Sequence, residues 1–164
     1  MLTLYLVRHA RAMAIAPSDE ERELTPQGRR DAVVLGGLFQ EQLAVPETIV
    51  CSSATRAIQT HQAMAEGGLS CDMVRHDQGL YSASASYLCD AIARCGAPSV
   101  AVIAHNPALA ILLNQIAPAD DVAPHLMHFP TATIAHITFD LEEFTSLTPQ
   151  SQGTLHALIR ASEL

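Results

Sequence analysis

Uninterrupted apolar stretches give the strongest strand predictions along this chain. Leu2–Val7 and Ser99–Ala104 are dominated by apolar side chains, which is the pattern of a strand that is buried on both faces. Thr48–Cys51, Met73–Arg75 and the β-branched segment Thr133–Phe139 are predicted as further strands. The hydrophobic pattern therefore predicts strands along most of the chain, two of them fully buried.

Segments with apolar residues at helical spacing lie between these strands. Thr25-Pro26 reads as an N-cap followed by proline at the first helical position, and it predicts a helix over Pro26–Leu43. Leu155–Ile159, where the pattern is weak, is interpreted as helical. Three more helices are predicted from caps and spacing: from a Ser52-Ser53 cap to about Ala65, over Ala83–Cys95, and over Ala108–Ile116 behind an Asn106-Pro107 cap.

Predicted strands and helices alternate along the chain, which is the order of βαβ units. Such units place helices on both faces of a sheet whose strands are mostly parallel. We therefore predict an α/β fold, a three-layer α/β/α sandwich with a mostly parallel sheet. With 164 residues, no internal repeat and no linker, the chain is expected to form a single domain over residues 1–164.

Composition and charge narrow the class of protein. Apolar residues make up 49% of the chain and charged residues 16%, so a disordered chain is excluded. The net charge of −8 argues against nucleic acid or an anionic membrane as partner, because both need an electropositive face. The N-terminal apolar stretch is too short for a signal peptide, and no apolar run approaches a membrane span, so we expect a cytoplasmic protein. An anionic ligand must therefore be held by a local group of positive charges.

Polar side chains suited to chemistry follow three of the predicted strands. Arg8 and His9 come after the first strand, Ser52–Arg56 after the second, and His105 and Asn106 after the Val-rich strand. In a sheet of this kind, ligands bind beyond the carboxyl ends of the strands. Arginines and histidines at one edge repel each other unless an anion lies between them. A phosphoryl group fits that need, because guanidinium groups bind its oxygens in pairs.

The residues at these positions form three short motifs. They are LVRHA from residue 6, CSSATRAIQT from residue 51 and AHNP from residue 104. In this order and spacing they resemble the motifs of the histidine phosphatase superfamily, whose fold is phosphoglycerate mutase-like, and the resemblance extends over Leu4–Phe139. The short chain, with Arg22 ahead of Leu24-Thr25, is most similar to the compact SixA-type phosphohistidine phosphatases.

The chain departs from the family pattern at two positions. Ala10 and Ala104 stand where the superfamily carries glycine. An alanine held at positive φ costs about 1 kcal/mol or more. We therefore expect that neither position requires positive φ.

The resemblance implies roles for the candidate residues. It makes His9 the nucleophile, which carries the phosphoryl group as a covalent intermediate that water then hydrolyses. It places Arg8, Arg56 and His105 as catalytic groups around the phosphoryl oxygens, with Arg22 as a substrate-binding residue. The partner that follows is a phosphorylated substrate, in particular a protein that carries phosphohistidine.

Other polar residues have weaker assignments. Asn106 is either a helix cap or a further substrate-binding residue, whereas Ser52 and Thr60 are interpreted as cap and packing residues. His125 and His128 have a spacing that a metal site could use, but prolines on either side disfavour a regular helix there. We therefore expect no metal and no other cofactor.

The superfamily usually supplies a carboxylic acid from the loop after the third strand, to protonate the leaving oxygen. Only Asp72 and Asp77 stand in that region, and neither belongs to a recognisable acid motif, so the role stays unassigned. Phosphohistidine needs such an acid less, because neutral imidazole, with a conjugate-acid pKa of about 6.5, departs without further help. The absence of an acid therefore favours a phosphoramidate substrate.

Two other functions remain open from the sequence. One is hydrolysis of a small phosphate ester or anhydride, with Asp77 or another group supplying the proton. The other is a phosphate-recognition protein without turnover, although such a protein gains little from a nucleophile at His9. The acidic run Asp19–Glu21 is interpreted as a solvated loop face, or as a screen against highly anionic small substrates.

Overall fold

A single mixed sheet forms the centre of the molecule. The structure, a computed structural model, describes residues 1–117 and 129–164 of the chain. Within these residues the sheet has six strands: β1 (Leu2–Arg8), β2 (Thr48–Ser52), β3 (Met73–Asp77), β4 (Ser99–Ala104), β5 (Thr133–Phe139) and β6 (Thr154–Arg160). All the strands that the hydrophobic pattern predicted are therefore present, with ends that differ by at most two residues.

The strands lie in the order β3-β2-β4-β1-β5-β6. β1, β2, β3 and β4 pair in parallel, whereas β5 is antiparallel to both β1 and β6. Among these six strands, β5 alone runs against the others. The prediction of a mostly parallel sheet is confirmed.

Helices cover both faces of the sheet. α1 (Pro26–Glu41) and α2 (Thr55–Gly67) pack on one face, and α3 (Ala85–Ala93) and α4 (Ala108–Ile116) pack on the other. Side chains of β1 alternate between the two layers, because successive residues of a strand point to opposite faces. Leu4 and Leu6 face α3 and α4, and Tyr5 and Val7 face α1 and α2. The three-layer α/β/α architecture is confirmed.

The helices of the described residues are short. None of those in residues 1–117 and 129–164 combines the length and the apolar character that a bilayer crossing requires. The longest, α1, has 16 residues.

α1 and α2 touch closely at two glycines. A Cβ atom at Gly36 would lie 1.9 Å from the carbonyl oxygen of Met64, and one at Gly67 would lie 1.9 Å from that of Val33. Any larger residue at either position therefore pushes the two helices apart. The contact fixes the position of α2, whose first turn carries Arg56.

The predicted helix starts hold for α1 but not for α2. Thr25 caps α1 as predicted, since its hydroxyl accepts a hydrogen bond from the Gly28 N–H at 2.9 Å. α2 begins at Thr55, with Ala54 at the cap position and no side-chain cap. The predicted Ser52-Ser53 cap is therefore wrong, because the Ser52 hydroxyl bonds elsewhere.

The start of α4 also differs from the cap-and-proline prediction. Pro107 occupies the N-cap position after a cis Asn106–Pro107 peptide bond. The Asn106 side chain donates to the carbonyl oxygen of Phe129 at 2.8 Å instead of capping the helix. A short amide can bond to a sequence-distant backbone group as readily as to its own helix, and sequence spacing does not reveal that choice.

The interpretation of Leu155–Ile159 as helical is wrong. These residues belong to β6, which pairs with β5 from Thr133–Arg160 to Thr138–Thr154. A short run of leucine, alanine and isoleucine fits either structure, and here pairing with β5 decides it.

Candidate active site

The candidate residues meet at the carboxyl edge of the sheet. The pairing of Arg8 with Ala104 places His9 and His105 directly after neighbouring ends of β1 and β4. The two imidazole rings lie 5.1 Å apart between centroids, at an angle of 53°. Parallel strands thus bring two residues that are far apart in sequence into one site.

His9 is held in one tautomer. Its Nδ1 lies 2.8 Å from the carbonyl oxygen of Ala10, which can only accept, so Nδ1 carries the proton. Its Nε2 accepts a hydrogen bond from Nε of Arg56 at 3.3 Å. The imidazole therefore keeps a lone pair on Nε2, the form that a nucleophile requires.

Electrostatics keep this ring neutral. Burial lowers the pKa of His9 to about 3, and the bond to Ala10 opposes this shift. Repulsion from His105 when that ring is protonated, and from the charges of Arg56 and Arg8, also lowers the pKa of His9. The residue is only 7% exposed. His9 is therefore unprotonated at neutral pH.

His105 is equally buried and is oriented by Ser52. Its Nε2 lies 2.7 Å from the Ser52 hydroxyl oxygen, which also accepts from the Ala54 N–H at 3.3 Å. The Ser52 hydroxyl can either donate to Nε2 or accept from it, so this contact fixes the orientation of the ring. Nδ1 of His105 has no hydrogen-bond partner within the described residues. Burial and, next, the charge of Arg56 lower the pKa of His105 to about 4, against the opposing charge of Asp19.

Arg56 joins His9 to the segment before α1. Its Nη1 donates to the backbone carbonyl oxygen of Asp19 at 2.8 Å, and its Nη2 donates to Oδ2 of Asp19 at 3.1 Å. Thr60, one turn further along α2, donates to the Arg56 carbonyl and accepts from the Ala10 N–H. Thr60 therefore ties the helix that carries Arg56 to the loop that follows His9, which is more than the packing role predicted for it.

Arg8 and Asn106 share one backbone acceptor. Nη1 of Arg8 donates to the Phe129 carbonyl oxygen at 3.1 Å, and Nδ2 of Asn106 donates to the same oxygen at 2.8 Å. Among the described residues, Nε of Arg8 and Oδ1 of Asn106 have no partner. Burial and then the charge of Arg56 lower the pKa of Arg8 from its ordinary value.

Arg22 and Asp19 come from the loop before α1. Nε of Arg22 donates to the Met13 carbonyl at 2.7 Å, and its Nη1 donates to Oδ1 of Asp19 at 3.0 Å. Oδ2 of Asp19 also accepts a short hydrogen bond from the Tyr81 hydroxyl. The bonds from Tyr81, Arg22 and Arg56 hold the pKa of Asp19 well below its usual range. Asp19 thus contacts two arginines of the site, whereas the sequence left its acidic run as a solvated loop face or a screen against highly anionic small substrates.

All six residues that the sequence selected line one cavity of about 330 Å³. The six are Arg8, His9, Arg22, Arg56, His105 and Asn106. The other described residues that line the cavity are Arg11, Ala12 and Thr131. The cavity concentrates four arginines in a protein whose net charge is −8. Such a cavity suits a tetrahedral oxyanion.

Sequence reasoning missed Arg11, Asp19 and Tyr81. Arg11 lies two residues after His9, so its place in the motif loop was an available signal. The sequence does not link Asp19 or Tyr81 to the arginines, because each lies in a short 3-10 helix, Asp19–Glu21 or Gln78–Ser82, outside the main strands and helices.

The carboxylate that the sequence proposed as an acid lies elsewhere. Asp77 accepts hydrogen bonds from the Gly79 N–H at 2.8 Å and from the Tyr87 hydroxyl at 2.9 Å, and it pairs with Arg94 at 3.4 Å. It does not line the arginine cavity as the described residues define it. His125 and His128 lie outside the described residues.

Ala10 and Ala104, which stand where the family carries glycine, do not have positive φ. Within the described chain, the non-glycine residue with positive φ is Ala132, at 52°. Ala10 and Ala104 therefore do not need positive φ, as expected from their lack of glycine.

Comparisons with known proteins agree on one family. The model of the histidine phosphatase superfamily (branch 1) matches residues 4–81. A solved structure from Nakamurella multipartitia, assigned as the phosphohistidine phosphatase SixA, is 29% identical, has a TM-score of 0.82, and is matched over 97% of this chain and 95% of that one. Another with the same assignment, from Agrobacterium tumefaciens, is 26% identical with a TM-score of 0.78, over 96% and 97% of the two chains. An uncharacterized protein of Mycobacterium tuberculosis is 35% identical over 137 residues, which are 79% of this chain and 84% of that protein.

Proposed function

The chain belongs to the histidine phosphatase superfamily, as a phosphatase of its SixA-type branch, and from this premise we propose that it removes phosphate from phosphohistidine in a protein, without a metal and through a phosphorylated His9. The observation that carries the proposal is the state of His9. Its Nε2 keeps a lone pair, faces Arg56, and lies in a cavity lined by four arginines.

The first half of the reaction transfers the phosphoryl group to the enzyme. Nε2 of His9 attacks phosphorus, and a P–Nε2 bond forms as the P–N bond of the substrate breaks. The second ring nitrogen of the substrate has taken up a proton from water, so the electron pair of the broken bond leaves with a neutral imidazole. Nδ1 of His9 keeps its proton and its bond to the Ala10 carbonyl throughout.

The second half returns the enzyme to its starting state. Water attacks the phosphorus of phosphorylated His9, the P–Nε2 bond breaks, and its electron pair returns to Nε2 as the water proton passes to solvent. Inorganic phosphate is the product. Neutral imidazole is again a good leaving group, because its conjugate acid has a pKa of about 6.5.

Guanidinium groups supply the positive charge for both steps. Arg8 and Arg56 line the cavity, and we assign His105, which lines it too, as a further group that binds a phosphoryl oxygen. Preorganised donors around the transferring group provide most of the rate gain in phosphoryl transfer. This set of charges supports a mechanism that needs no metal.

The choice of phosphohistidine rests on the leaving group and on the relatives. Asp77, the carboxylate considered as an acid for an ester substrate, is bonded to Gly79, Tyr87 and Arg94. The relatives from N. multipartitia and A. tumefaciens are assigned as phosphohistidine phosphatases. Both observations favour a substrate whose leaving group needs no carboxylic acid.

The proposal is tested by comparing substrates under matched conditions. Phosphate release is measured from a phosphohistidine-bearing protein and from an aryl phosphate, each with and without a chelator. We expect release from phosphohistidine that the chelator does not change. Chelator-sensitive activity would contradict the metal-free mechanism. Rapid cleavage of the ester with intact phosphohistidine would support the small-molecule function, and binding of phosphate without turnover would support a recognition protein.

The intermediate gives a second test. Rapid quenching with labelled substrate should trap phosphate in an acid-labile, base-stable linkage at His9. His9→Ala should abolish both the trapped label and turnover, whereas His156→Ala, which removes an exposed histidine of β6, should change neither. A His9→Ala variant with a near-normal rate would reject nucleophilic catalysis by this residue.

A further inference from the structure

A carboxylate lies beside the anion cavity, bonded to two of the arginines that line it, and the mechanism above does not use it. Asp19 contacts Arg56, Arg22 and Tyr81. A negative charge at this place repels an anionic substrate and reduces the positive charge that the arginines offer. Its presence therefore needs a benefit that outweighs weaker binding of phosphate.

The benefit is visible in the bonds of Arg56. Both Nη atoms of its guanidinium donate to Asp19, one to the backbone carbonyl and one to the carboxylate. The third nitrogen, Nε, donates to Nε2 of His9 at 3.3 Å. Asp19 thus holds one end of the guanidinium group while the other end faces the nucleophile.

The bonds to Asp19 matter because the Arg56 guanidinium is buried. The Arg56 side chain is 8% exposed, whereas that of Asp19 is 52% exposed. A buried guanidinium that loses its partners must turn toward other acceptors, because an unpaired buried charge is costly. Without the charge of the Asp19 carboxylate, the bond from Nη2 of Arg56 is weakened and the bond from Nη1 to the Asp19 backbone carbonyl remains, so Nε is held less firmly against His9.

Tyr81 and Arg22 fix Asp19 in turn. The Tyr81 hydroxyl donates to Oδ2 and the Arg22 guanidinium donates to Oδ1, so each carboxylate oxygen is bonded. The Tyr81 ring also lies 5.7 Å from Cζ of Arg56 and meets the His105 ring edge to face at 5.7 Å. Asp19 and Tyr81 therefore form one support that touches Arg56 from two sides.

We propose that Asp19 is a positioning residue, which acts through Arg56 to keep its Nε against the attacking nitrogen of His9 and which does not itself bind the phosphoryl group. The proposal rests on the phosphatase function proposed above. It separates two quantities that usually change together. Removing the carboxylate should slow phosphoryl transfer, because alignment is lost, and should not weaken phosphate binding, because a repelling charge is removed.

The test uses Asp19→Asn in the full chain, with Glu20→Gln as the matched control. Glu20 is the next residue of the same acidic run and is exposed, and the bonds of Arg56 go to Asp19 and not to Glu20. Asp19→Asn should lower kcat on phosphohistidine by on the order of 10- to 100-fold. The Kd for inorganic phosphate, from calorimetry, should stay the same or fall, and Glu20→Gln should match the wild type in both.

The split between kcat and Kd distinguishes positioning from two other roles. If Asp19 instead blocks the cavity, Asp19→Asn raises turnover, which would overturn the proposal. If it binds the phosphoryl group, the Kd for phosphate rises together with the loss of kcat, which would overturn it equally. Tyr81→Phe keeps the carboxylate and removes one bond to it, so we expect a smaller fall in kcat of about two- to tenfold.

A readout without turnover keeps this proposal separate from the proposed function. The Nε–H of Arg56 is followed by ¹⁵N NMR and identified by its absence in Arg56→Lys. Its resonance should shift or broaden in Asp19→Asn and Tyr81→Phe and be unchanged in Glu20→Gln. An unchanged resonance in the first two variants contradicts positioning. A wild-type protein that leaves phosphohistidine intact contradicts the function instead, and the NMR result still decides the role of Asp19.

Discussion

Two clusters of the same composition lie on this molecule, each with an aspartate that accepts from a tyrosine hydroxyl and pairs with an arginine. In the cavity cluster, Asp19 contacts Tyr81 and Arg56. In the surface cluster, Asp77 contacts Tyr87 and Arg94. The arginine also lies near the tyrosine ring in both, at 5.7 Å in the first and 5.3 Å in the second.

The clusters differ in which partner is buried. In the cavity the arginine is the buried member, with 8% of its side chain exposed against 52% for the aspartate. On the surface the order is reversed, with 56% for Arg94 and 22% for Asp77. A buried arginine has its direction fixed by its partners, whereas an exposed one is free to exchange them for water. The same three residue types thus border the arginine cavity in one place and cap a local turn in the other.

The largest expected effect is a loss of activity on replacing Arg56, the arginine of the cavity cluster. Arg56→Ala should reduce kcat/KM by an amount equal to about 3 kcal/mol of transition-state stabilisation, which is the cost of losing one strong oxyanion donor. Steady-state kinetics on phosphohistidine measure it, with thermal melting to show that the variant folds. A loss of less than about threefold would mean that burial of the arginine has no catalytic consequence.

Acid should separate the two clusters next, because Arg56 and Tyr81 of the cavity cluster contact His9 and His105. Their pKa values, about 3 and about 4, lie below the ordinary 6.5. Between 6.5 and these values the unfolded chain binds protons that the folded protein does not. Stability should therefore fall as the pH falls through this window, by roughly 1.4 kcal/mol per pH unit for each histidine.

Turnover should not follow the same curve. His9 stays neutral well below pH 6.5, so kcat should persist to about pH 5 while urea midpoints decline. In His9→Ala the slope of stability against pH should be shallower than in the wild type. A kcat that titrates with an apparent pKa near 6.5 would contradict the neutral, buried nucleophile.

A smaller effect is expected at the surface aspartate. Asp77→Ala removes the acceptor for the Gly79 N–H and the Tyr87 hydroxyl, so the free energy of unfolding should fall by about 1 kcal/mol, as for the loss of a cap. Urea denaturation measures this, and kcat should stay within about twofold of the wild type. Lost turnover with unchanged stability would instead make Asp77 the acid of an ester phosphatase.

The smallest effect is expected at Arg94. Its ion pair with Asp77 is largely in solvent, so Arg94→Ala should change the free energy of unfolding by less than about 0.5 kcal/mol. Turnover should be unchanged. A destabilisation as large as that of Asp77→Ala would show that the surface cluster depends on its arginine after all.

The site residues at the carboxyl edge of the sheet could be predicted, because strands and helices determine their positions. Arg8, His9 and His105 follow strands whose apolar character is plain in the sequence, and parallel strands bring their carboxyl ends together. Arg56 follows by the same logic from the first turn of α2. These positions depend on hydrophobic period and strand order, both of which a sequence displays.

The support around the site could not be predicted in this way. Asp19 lies beside the cavity in a segment without hydrophobic period, and its neighbours Glu20 and Glu21 carry the same charge, so the sequence does not single it out. Tyr81 reaches the same carboxylate from 62 residues away. The helical prediction for Leu155–Ile159 was wrong for a related reason, because only pairing with β5 decides that this short run is a strand. Contacts of this kind are set by tertiary structure.

The bond between Nδ1 of His9 and the Ala10 carbonyl also determines regiochemistry. On the proposed mechanism only the ring nitrogen remote from the main chain is free to accept the group, so the enzyme forms the tele isomer of its own modified histidine. An antibody that distinguishes the tele and pros isomers should therefore stain the quenched intermediate with one specificity alone.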